Sequence, residues 1–278
     1  MNKPKVRIYL MGGLGNNLSQ LFFAYKLQAQ GYEIEINNFL CSKNLITKNL
    51  KWSLHDQSVQ DIYKEKFKIR KINIFTIIID LFFLNLSRVF NAVCFNRFFD
   101  ANRIKSVSEI MNIENRKFIV FAGYWQQLNI YKENELNEFK RFLFGNIKSN
   151  ISKDIGIHIR GGDFLWLNKS LGMSFYDNAL NQFKSFEPVT IFTNDKKYSK
   201  EILPKSLSYQ FSENDNTKDD FLEMLNFKRL ICSNSTFSIW AGLFSCAEEI
   251  ILPKKDGESL KMNINSDLFK FKKITVLL

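Results

Sequence analysis

The chain holds only two histidines, and one of them, His158, stands two places before Arg160 in Gly156-Ile157-His158-Ile159-Arg160-Gly161-Gly162-Asp163. Positions i and i+2 of a strand share a face, so an apolar strand here delivers a His and an Arg together at its exit, followed by two glycines and a carboxylate. The carboxyl end of a parallel strand is where α/β proteins bind ligands, and a guanidinium matches a phosphate in shape and charge. A second cluster, Ser233-Asn234-Ser235-Thr236-Phe237-Ser238, stands between a strand-like and an apolar helical segment. A plain helix cap needs one hydroxyl or amide side chain and this turn has five, an excess that favours anion binding at a helix start. The chemistry these two clusters share is the holding of a phosphate-bearing ligand.

A third candidate is the glycine-rich turn Gly12-Gly13-Leu14-Gly15-Asn16-Asn17. Gly13 and Gly15 supply the first two glycines of a dinucleotide fingerprint, and Glu33 and Glu35 follow about 20 residues on, but Leu18 stands where the third glycine belongs. No Gly-Lys-Ser/Thr follows, so the turn is not a P-loop. No DxD closes a strand: Asp219-Asp220 opens a helix and Asp215 lies in a polar loop, which disfavours a metal-held diphosphate. Cys41, Cys94, Cys232 and Cys246 are widely spaced with no CxxC, so zinc and disulfide roles are not expected.

The elements that position these residues follow from periodicity. Val6 to Met11 reads as a buried strand, Leu18 to Gln30 as a helix closed by Gly31, and Tyr32 to Ile36 as a second strand, a βαβ opening with a parallel sheet. After about residue 148 alternation resumes: strands at 155–159, 189–193, 229–233 and 249–252, helices at 175–183, 219–227 and 237–245. Two doubly wound domains are expected, 1–148 and 149–278, with the break in the Gly-, Asn-, Ser- and Lys-containing stretch 146–154. Ile72 to Phe95 is the most apolar stretch, but Asp80 and Arg88 interrupt it, so it is not read as a spanning helix.

The 278 residues carry 39 Lys and Arg against 28 Asp and Glu, a net charge of +11, with 45% apolar residues, a composition that excludes a disordered or disulfide-framework chain. Residues 1–150 hold 22 basic and 12 acidic residues, a net +10, so nearly all the excess lies in the first half. Such asymmetry points to an acidic partner, nucleic acid or anionic membrane, unless it is only a solvated surface. Lys64, Lys66, Lys68, Arg70 and Lys71 cluster just before the apolar stretch, an arrangement that docks on anionic lipid or else is a solvated loop before a core helix. The N-terminus lacks the apolar core and cleavage site of a signal peptide, which points to the cytoplasm.

Four motifs in order, Gly12-Gly13-Leu14-Gly15-Asn16, Gly123-Tyr124-Trp125-Gln126, His158-Ile159-Arg160-Gly161-Gly162-Asp163 and Ser233-Asn234-Ser235-Thr236-Phe237-Ser238, resemble the bacterial α-1,2-fucosyltransferases of glycosyltransferase family 11. The resemblance implies an α/β GT-B fold: two Rossmann-type domains facing a central cleft, the N-terminal one on the acceptor side and the C-terminal one holding GDP-L-fucose. It implies a galactoside 2-α-L-fucosyltransferase that transfers fucose with inversion to the 2-hydroxyl of a terminal galactose in an O-antigen or capsule type of glycan, with no metal or other cofactor. Arg160 would then bind the β-phosphate and support the departure of GDP, with His158 fixing the guanosine end; Asp163, by its position, is the general-base candidate for the acceptor hydroxyl or else only orients Arg160. Ser235, Thr236 and Phe237 would contact the diphosphate, and Asp220 would read the guanine N–H groups, with Asp195 a further donor-side candidate. Gly13, Gly15 and Asn16 would lie near the fucose and the acceptor.

This chain departs from the family's usual pattern twice. Gly161 replaces the second Arg of His-x-Arg-Arg-x-Asp, and Asn17 replaces the Gln that usually ends the first loop. The residues by themselves leave two other readings open, an NAD-linked oxidoreductase using Gly13, Gly15 and Glu35, and a basic nucleic-acid binder; the resemblance implies no nucleic-acid partner. The basic first half adds an anionic membrane as an expected peripheral partner, at the inner face of the cytoplasmic membrane.

Overall fold

The computed structural model describes residues 5–41, 56–71, 73–80, 82, 98–100, 118–123, 133–147, 151, 153–183, 189–254 and 273–277. The chain divides into two compact units, Met1–Ile130 and Tyr131–Leu278, each built on a parallel sheet.

In the first unit, β1 (Lys5–Tyr9) leads through α1 (Leu14–Ala29) to β2 (Glu33–Asn37). A 3₁₀ turn at Phe39–Cys41, helix α2 (Gln57–Tyr63) and strands β3 (Lys68–Ile69), β4 (Phe98–Asp100) and β5 (Phe118–Ala122) follow. The strand order is β3-β2-β1-β5-β4. The central strand is buried from Val6 to Tyr9, as a parallel strand covered on both faces must be. The βαβ opening expected from periodicity is present, but α1 starts at Leu14 rather than Leu18. Gly13 is its N-cap, and Gly15, Asn16 and Asn17 form its first turn.

Charged residues are buried in this sheet because they pair. Register sets Arg7 beside Glu35, and Glu35 also meets Arg70 Nη1 at 2.7 Å and Lys5 Nζ at 3.0 Å. Arg7 Nη1 lies 2.8 Å from Asp80 Oδ2, which also accepts the Tyr9 hydroxyl at 2.7 Å. Asp80, an interruption in an apolar run when read along the sequence, is thus the buried anchor of the helical residues 74–80. No described helix is long and apolar enough to cross a membrane. The remainder of the apolar stretch, 83–95, lies outside the described residues, as do His55 and Cys94.

The second unit opens with α3 (Glu133–Phe144) and continues with β6 (Lys153–Ile159), α4 (Asp163–Trp166), α5 (Met173–Gln182), β7 (Val189–Thr193), α6 (Lys196–Ile202) and β8 (Tyr209–Phe211). Then come α7 (Thr217–Met224), β9 (Phe227–Ile231), α8 (Thr236–Phe244), β10 (Glu249–Pro253) and β11 (Lys273–Leu277). The order is β11-β10-β9-β6-β7-β8, all parallel. The chain therefore divides at residues 130 and 131, not near 148. The reason is α3: its Phe139 ring packs 6.1 Å from Trp240 and 6.0 Å from Phe244, and Phe144 stacks on Phe221 at 5.9 Å, so α3 shares the second unit's core.

Candidate functional site

Both sheets change direction beside their first strand, and the motif residues sit at those two places. In the second unit the chain runs from β6 outward to β7 and β8, then returns to lay β9 on the other side of β6. The crevice outside the carboxyl ends of such a pair is where open α/β sheets hold ligands. Arg160 follows β6 directly, and Ser233 to Thr236 join β9 to α8.

His158 and Ser233 tie the two strand ends together. His158 Nδ1 lies 2.8 Å from Ser233 Oγ, and Tyr176 donates its hydroxyl to the His158 carbonyl at 3.3 Å. The imidazole is buried 5.1 Å from the Phe237 ring. Burial, with the Arg160 charge adding to it, holds its pKa down to about 3, so it is neutral, with one donor and one acceptor nitrogen.

Arg160 is held on two sides. Its Nη2 meets Asp163 Oδ1 at 2.8 Å, and its guanidinium lies 5.2 Å from the centre of the Phe164 ring, both partners coming from the short helix α4. Its Nε–H is buried and has no hydrogen-bond partner among the described residues. Across the switch point, Asn234 donates Nδ2 to the Lys169 carbonyl at 2.6 Å, which fixes the amide and leaves its buried Oδ1 with no partner among the described residues. A buried polar group left unpaired costs about 1–3 kcal/mol, so an unused donor and an unused acceptor flanking one crevice are groups that a ligand would satisfy.

Three of the five polar side chains counted in the Ser233–Ser238 turn serve the fold. Ser233 Oγ pairs with His158 and accepts the Ser235 N–H, Ser235 caps α8 through Phe237 N, and the Ser238 hydroxyl points at the Ser233 and Ser235 carbonyls, 3.1 Å from each. The excess of hydroxyls is thus mostly internal wiring, with the α8 N-terminus itself left facing the crevice end of the strands. Asp195 also has a structural place: its carboxylate caps α6 through Tyr198 N at 3.0 Å and accepts Gly162 N at 3.2 Å, while Asn194 Oδ1 accepts Gly161 N at 3.0 Å. These backbone bonds, Tyr198's first, hold the Asp195 carboxyl below its ordinary pKa. A Cβ on Gly161 would lie 2.7 Å from Asp195 Cβ, so the second Arg of the usual motif has no room here. Asp220 is on the first turn of α7, where it accepts the Ser212 hydroxyl at 2.6 Å and Asn214 Nδ2 at 3.2 Å; burial raises its pKa. Phe237 packs on Phe221, the residue after Asp220, which brings the start of α7 beside that of α8.

The first unit repeats the arrangement at β1 and β5. Gly12 and Gly13 follow β1, and Gly123, the first residue of Gly123-Tyr124-Trp125-Gln126, follows β5; Tyr124 to Gln126 lie outside the described residues. Gly12 has φ +78°, and a Cβ there would collide with the Asn16 side-chain amide. Gln20, fully buried, donates Nε2 to the Gly123 carbonyl at 2.8 Å and accepts Met11 N at 3.1 Å, joining the two strand ends. Asn17 donates Nδ2 to the Met11 carbonyl at 3.2 Å from the same helical turn. Sequence reasoning passed over Gln20 and gave Ser233 and Asn234 no role of their own within their turn; the available signal for Gln20 was a glutamine set among the apolar positions 18, 21 and 22 of α1. Gly15 is buried within α1 rather than exposed in a loop. Glu35 is buried in ion pairs at the middle of β2, not at its carboxyl end, so it does not offer a ribose the free carboxylate that the NAD reading needs. Among the described residues no group of three or more His, Cys, Asp or Glu side chains is gathered for a metal.

Residues 5–272 match the family model described as Glycosyl transferase family 11. No curated protein matches the chain by sequence. Among solved structures, Escherichia coli heptosyltransferase WaaC with ADP is similar over 99% of this chain and 93% of its own, with 6% identity and a TM-score of 0.50. Fucosyltransferase NodZ from Bradyrhizobium aligns over 87% of this chain and 93% of its own at 15% identity and a TM-score of 0.48. A family 9 glycosyl transferase from Veillonella parvula aligns over 100% and 87% at 11% identity and a TM-score of 0.47. The architecture is thus that of the GT-B glycosyltransferases, two Rossmann-type α/β domains.

Proposed function

The chain belongs to glycosyltransferase family 11, and from that membership we propose that it is an inverting fucosyltransferase taking L-fucose from GDP-β-L-fucose. The acceptor in this reading is the 2-hydroxyl of a terminal galactose in a bacterial surface glycan of O-antigen or capsule type, and no metal takes part. The observation that carries the reading is the β6/β9 switch point, where Arg160 keeps an unpaired Nε–H and Asn234 an unpaired carbonyl oxygen beside a histidine held neutral. A cation and a helix N-terminus at a strand exit suit a sugar nucleotide's diphosphate.

In the displacement, the acceptor oxygen bonds to the anomeric carbon on the face opposite GDP. The bond from that carbon to the β-phosphate oxygen breaks, its electron pair leaves with GDP, and the acceptor hydroxyl gives its proton to solvent water. Negative charge grows on the diphosphate, so donors already fixed there lower the barrier most. Arg160 fills that role, with Asp163 and Phe164 holding its guanidinium and Ser235, Thr236 and Phe237 presenting the α8 N-terminus. His158 sets the spacing of the two strand ends under the guanosine side, and Asp220 offers its carboxylate to the guanine N–H groups. Asp195 supports this site from beneath by latching Gly162. Gly13, Gly15 and Asn16 belong to the acceptor side.

Incubation with GDP-fucose and a panel of β-galactosides, followed by linkage analysis, tests the reading. The expected product carries fucose on the galactose 2-hydroxyl, formed equally well with EDTA present. Fucose at another position, or transfer abolished by the chelator, would overturn the regiochemistry or the metal-independence respectively.

A further inference from the structure

Helical residues 74–80 carry an outward apolar face, and Phe82, also helical, has an exposed side chain. Phe75 is 73% exposed, Ile78 55%, Ile79 52% and Phe82 58%. The spacing 75, 78, 79, 82 is i, i+3, i+4, i+7, one continuous side of an α-helix. Ile77 and Asp80, on the other side, are buried, and Asp80 is fixed by Arg7 and the Tyr9 hydroxyl. The helix start is capped by Asn73, whose Oδ1 accepts Thr76 N at 2.8 Å. A buried ion pair therefore holds a short helix with its large apolar side chains turned to solvent, and simple core packing does not account for them.

The basic cluster that precedes this helix divides on inspection. Lys64 pairs with Asp61, Lys68 with Glu33 and Arg70 with Glu35. Lys66 and Lys71 are exposed, and neither has a carboxylate partner among the described residues. They belong to a unit that holds 18 basic and 9 acidic residues in Met1–Ile130, a net +9.

We propose that Phe75, Ile78, Ile79 and Phe82, with Lys66 and Lys71, form a docking surface for an anionic lipid bilayer. The apolar face is a strip roughly 11 Å long at 1.5 Å per residue and about 10 Å wide. Such a strip is several times smaller than the roughly 800 Å² per partner that a stable protein interface buries. It suits an interfacial helix, which sinks its apolar side to the boundary of headgroups and acyl chains while nearby lysines meet anionic headgroups. The inference stands on this surface alone and is independent of the fucosyl-transfer reading.

Cosedimentation of the full chain with phosphatidylcholine vesicles, with and without phosphatidylglycerol, tests it. Binding is expected only with phosphatidylglycerol, falling as salt rises. The paired substitution Lys66→Ala/Lys71→Ala should lower the partition coefficient roughly 30-fold, about fivefold for each lysine. Phe75→Ser/Phe82→Ser should lower it at least as far, with thermal melting and GDP-fucose binding unchanged because all four side chains are exposed. Unaltered vesicle binding in both paired variants would overturn the proposal. So would a lipid-free dimer, seen by sedimentation velocity, that Phe75→Ser/Phe82→Ser dissolves, which would assign the face to a second copy.

Discussion

Arg160 presents two kinds of donor: the Nη2 edge engaged with Asp163 and the Nε–H left over. Asp163 therefore orients the guanidinium, and in the proposed reading Arg160 is the cation that meets the diphosphate. Arg160→Ala is expected to reduce kcat at least a hundredfold, the scale of a lost charge-stabilising donor, while Arg160→Lys keeps the charge, loses the planar fork and falls between the two. Near-normal turnover of Arg160→Ala in a GDP-fucose assay would remove Arg160 from the reaction. His158 lends itself to a different measurement. Its folded pKa near 3 lies below the roughly 6.5 of an unfolded histidine, so between those values the unfolded chain binds a proton that the folded one does not. His158's share of stability is complete above about pH 6.5 and is lost as pH falls toward 3. His158→Asn keeps a hydrogen-bonding group beside Ser233 and removes the titration, so its melting temperature should fall less than the wild type's between pH 6.5 and 4.5. Parallel curves would show that the imidazole is not buried as described. That His158 and Arg160 share a face was legible in their spacing of two. That Ser233 would meet His158 was not, because the contact joins residues 75 apart and depends on β9 returning to lie beside β6.

At the scale of elements, the turns are set by close approaches that periodicity does not encode. The β6–α4 turn fits only because Gly161 and Gly162 give their N–H groups to Asn194 and Asp195 at the end of β7. Gly161→Ala puts a Cβ 2.7 Å from Asp195 and should cost about 1–3 kcal/mol, as overpacking does, lowering the melting temperature by several degrees. An unchanged melting temperature would mean that the turn relaxes freely. The same contact explains the missing second Arg: the loop from β7 occupies its place, and the motif survives with one cation instead of two. The helix periodicity of α1, α7 and α8 was readable because each buries an apolar stripe. Helix α6, Lys-Lys-Tyr-Ser-Lys-Glu-Ile, and the short strand β8 were not, since the helix starts from the Asp195 cap on a largely polar segment and β8 is only three residues long. The first turn of α1 was misplaced for a related reason. Gly15, Asn16 and Asn17 look like loop residues by type, but the Gly13 N-cap and the Asn17 bond to the Met11 carbonyl draw them into the helix.

For the molecule as a whole, the division at residue 130 changes what can be cut. Polar and small residues mark 146–154 as a break, and by composition it is one, but α3 before it is tied to the second unit by Leu136, Phe139 and Leu143, all buried. Burying three such side chains contributes on the order of 6 kcal/mol at about 2 kcal/mol each, against the 5–15 kcal/mol that holds a whole domain folded. A fragment starting at residue 131 should therefore give a cooperative melt and bind GDP through its own β6/β9 crevice. One starting at 149, the boundary that composition favours, should expose the Trp240, Phe244 and Phe221 rings that α3 covers. It is expected to aggregate or to bind an apolar dye without a cooperative transition. Equal folding of the two fragments would show that α3 adds little to the core. The cut at 130 also leaves the charge argument intact. The first unit keeps a net +9 and the second has only +2, so in the proposed reading the β6/β9 crevice would draw its anion with one placed arginine and a helix end, while the diffuse positive field belongs to the unit that carries the exposed helix. On that assignment, raising the salt should weaken vesicle binding steeply and GDP binding only slightly, because screening acts most on exposed charges and least on a partly buried pair.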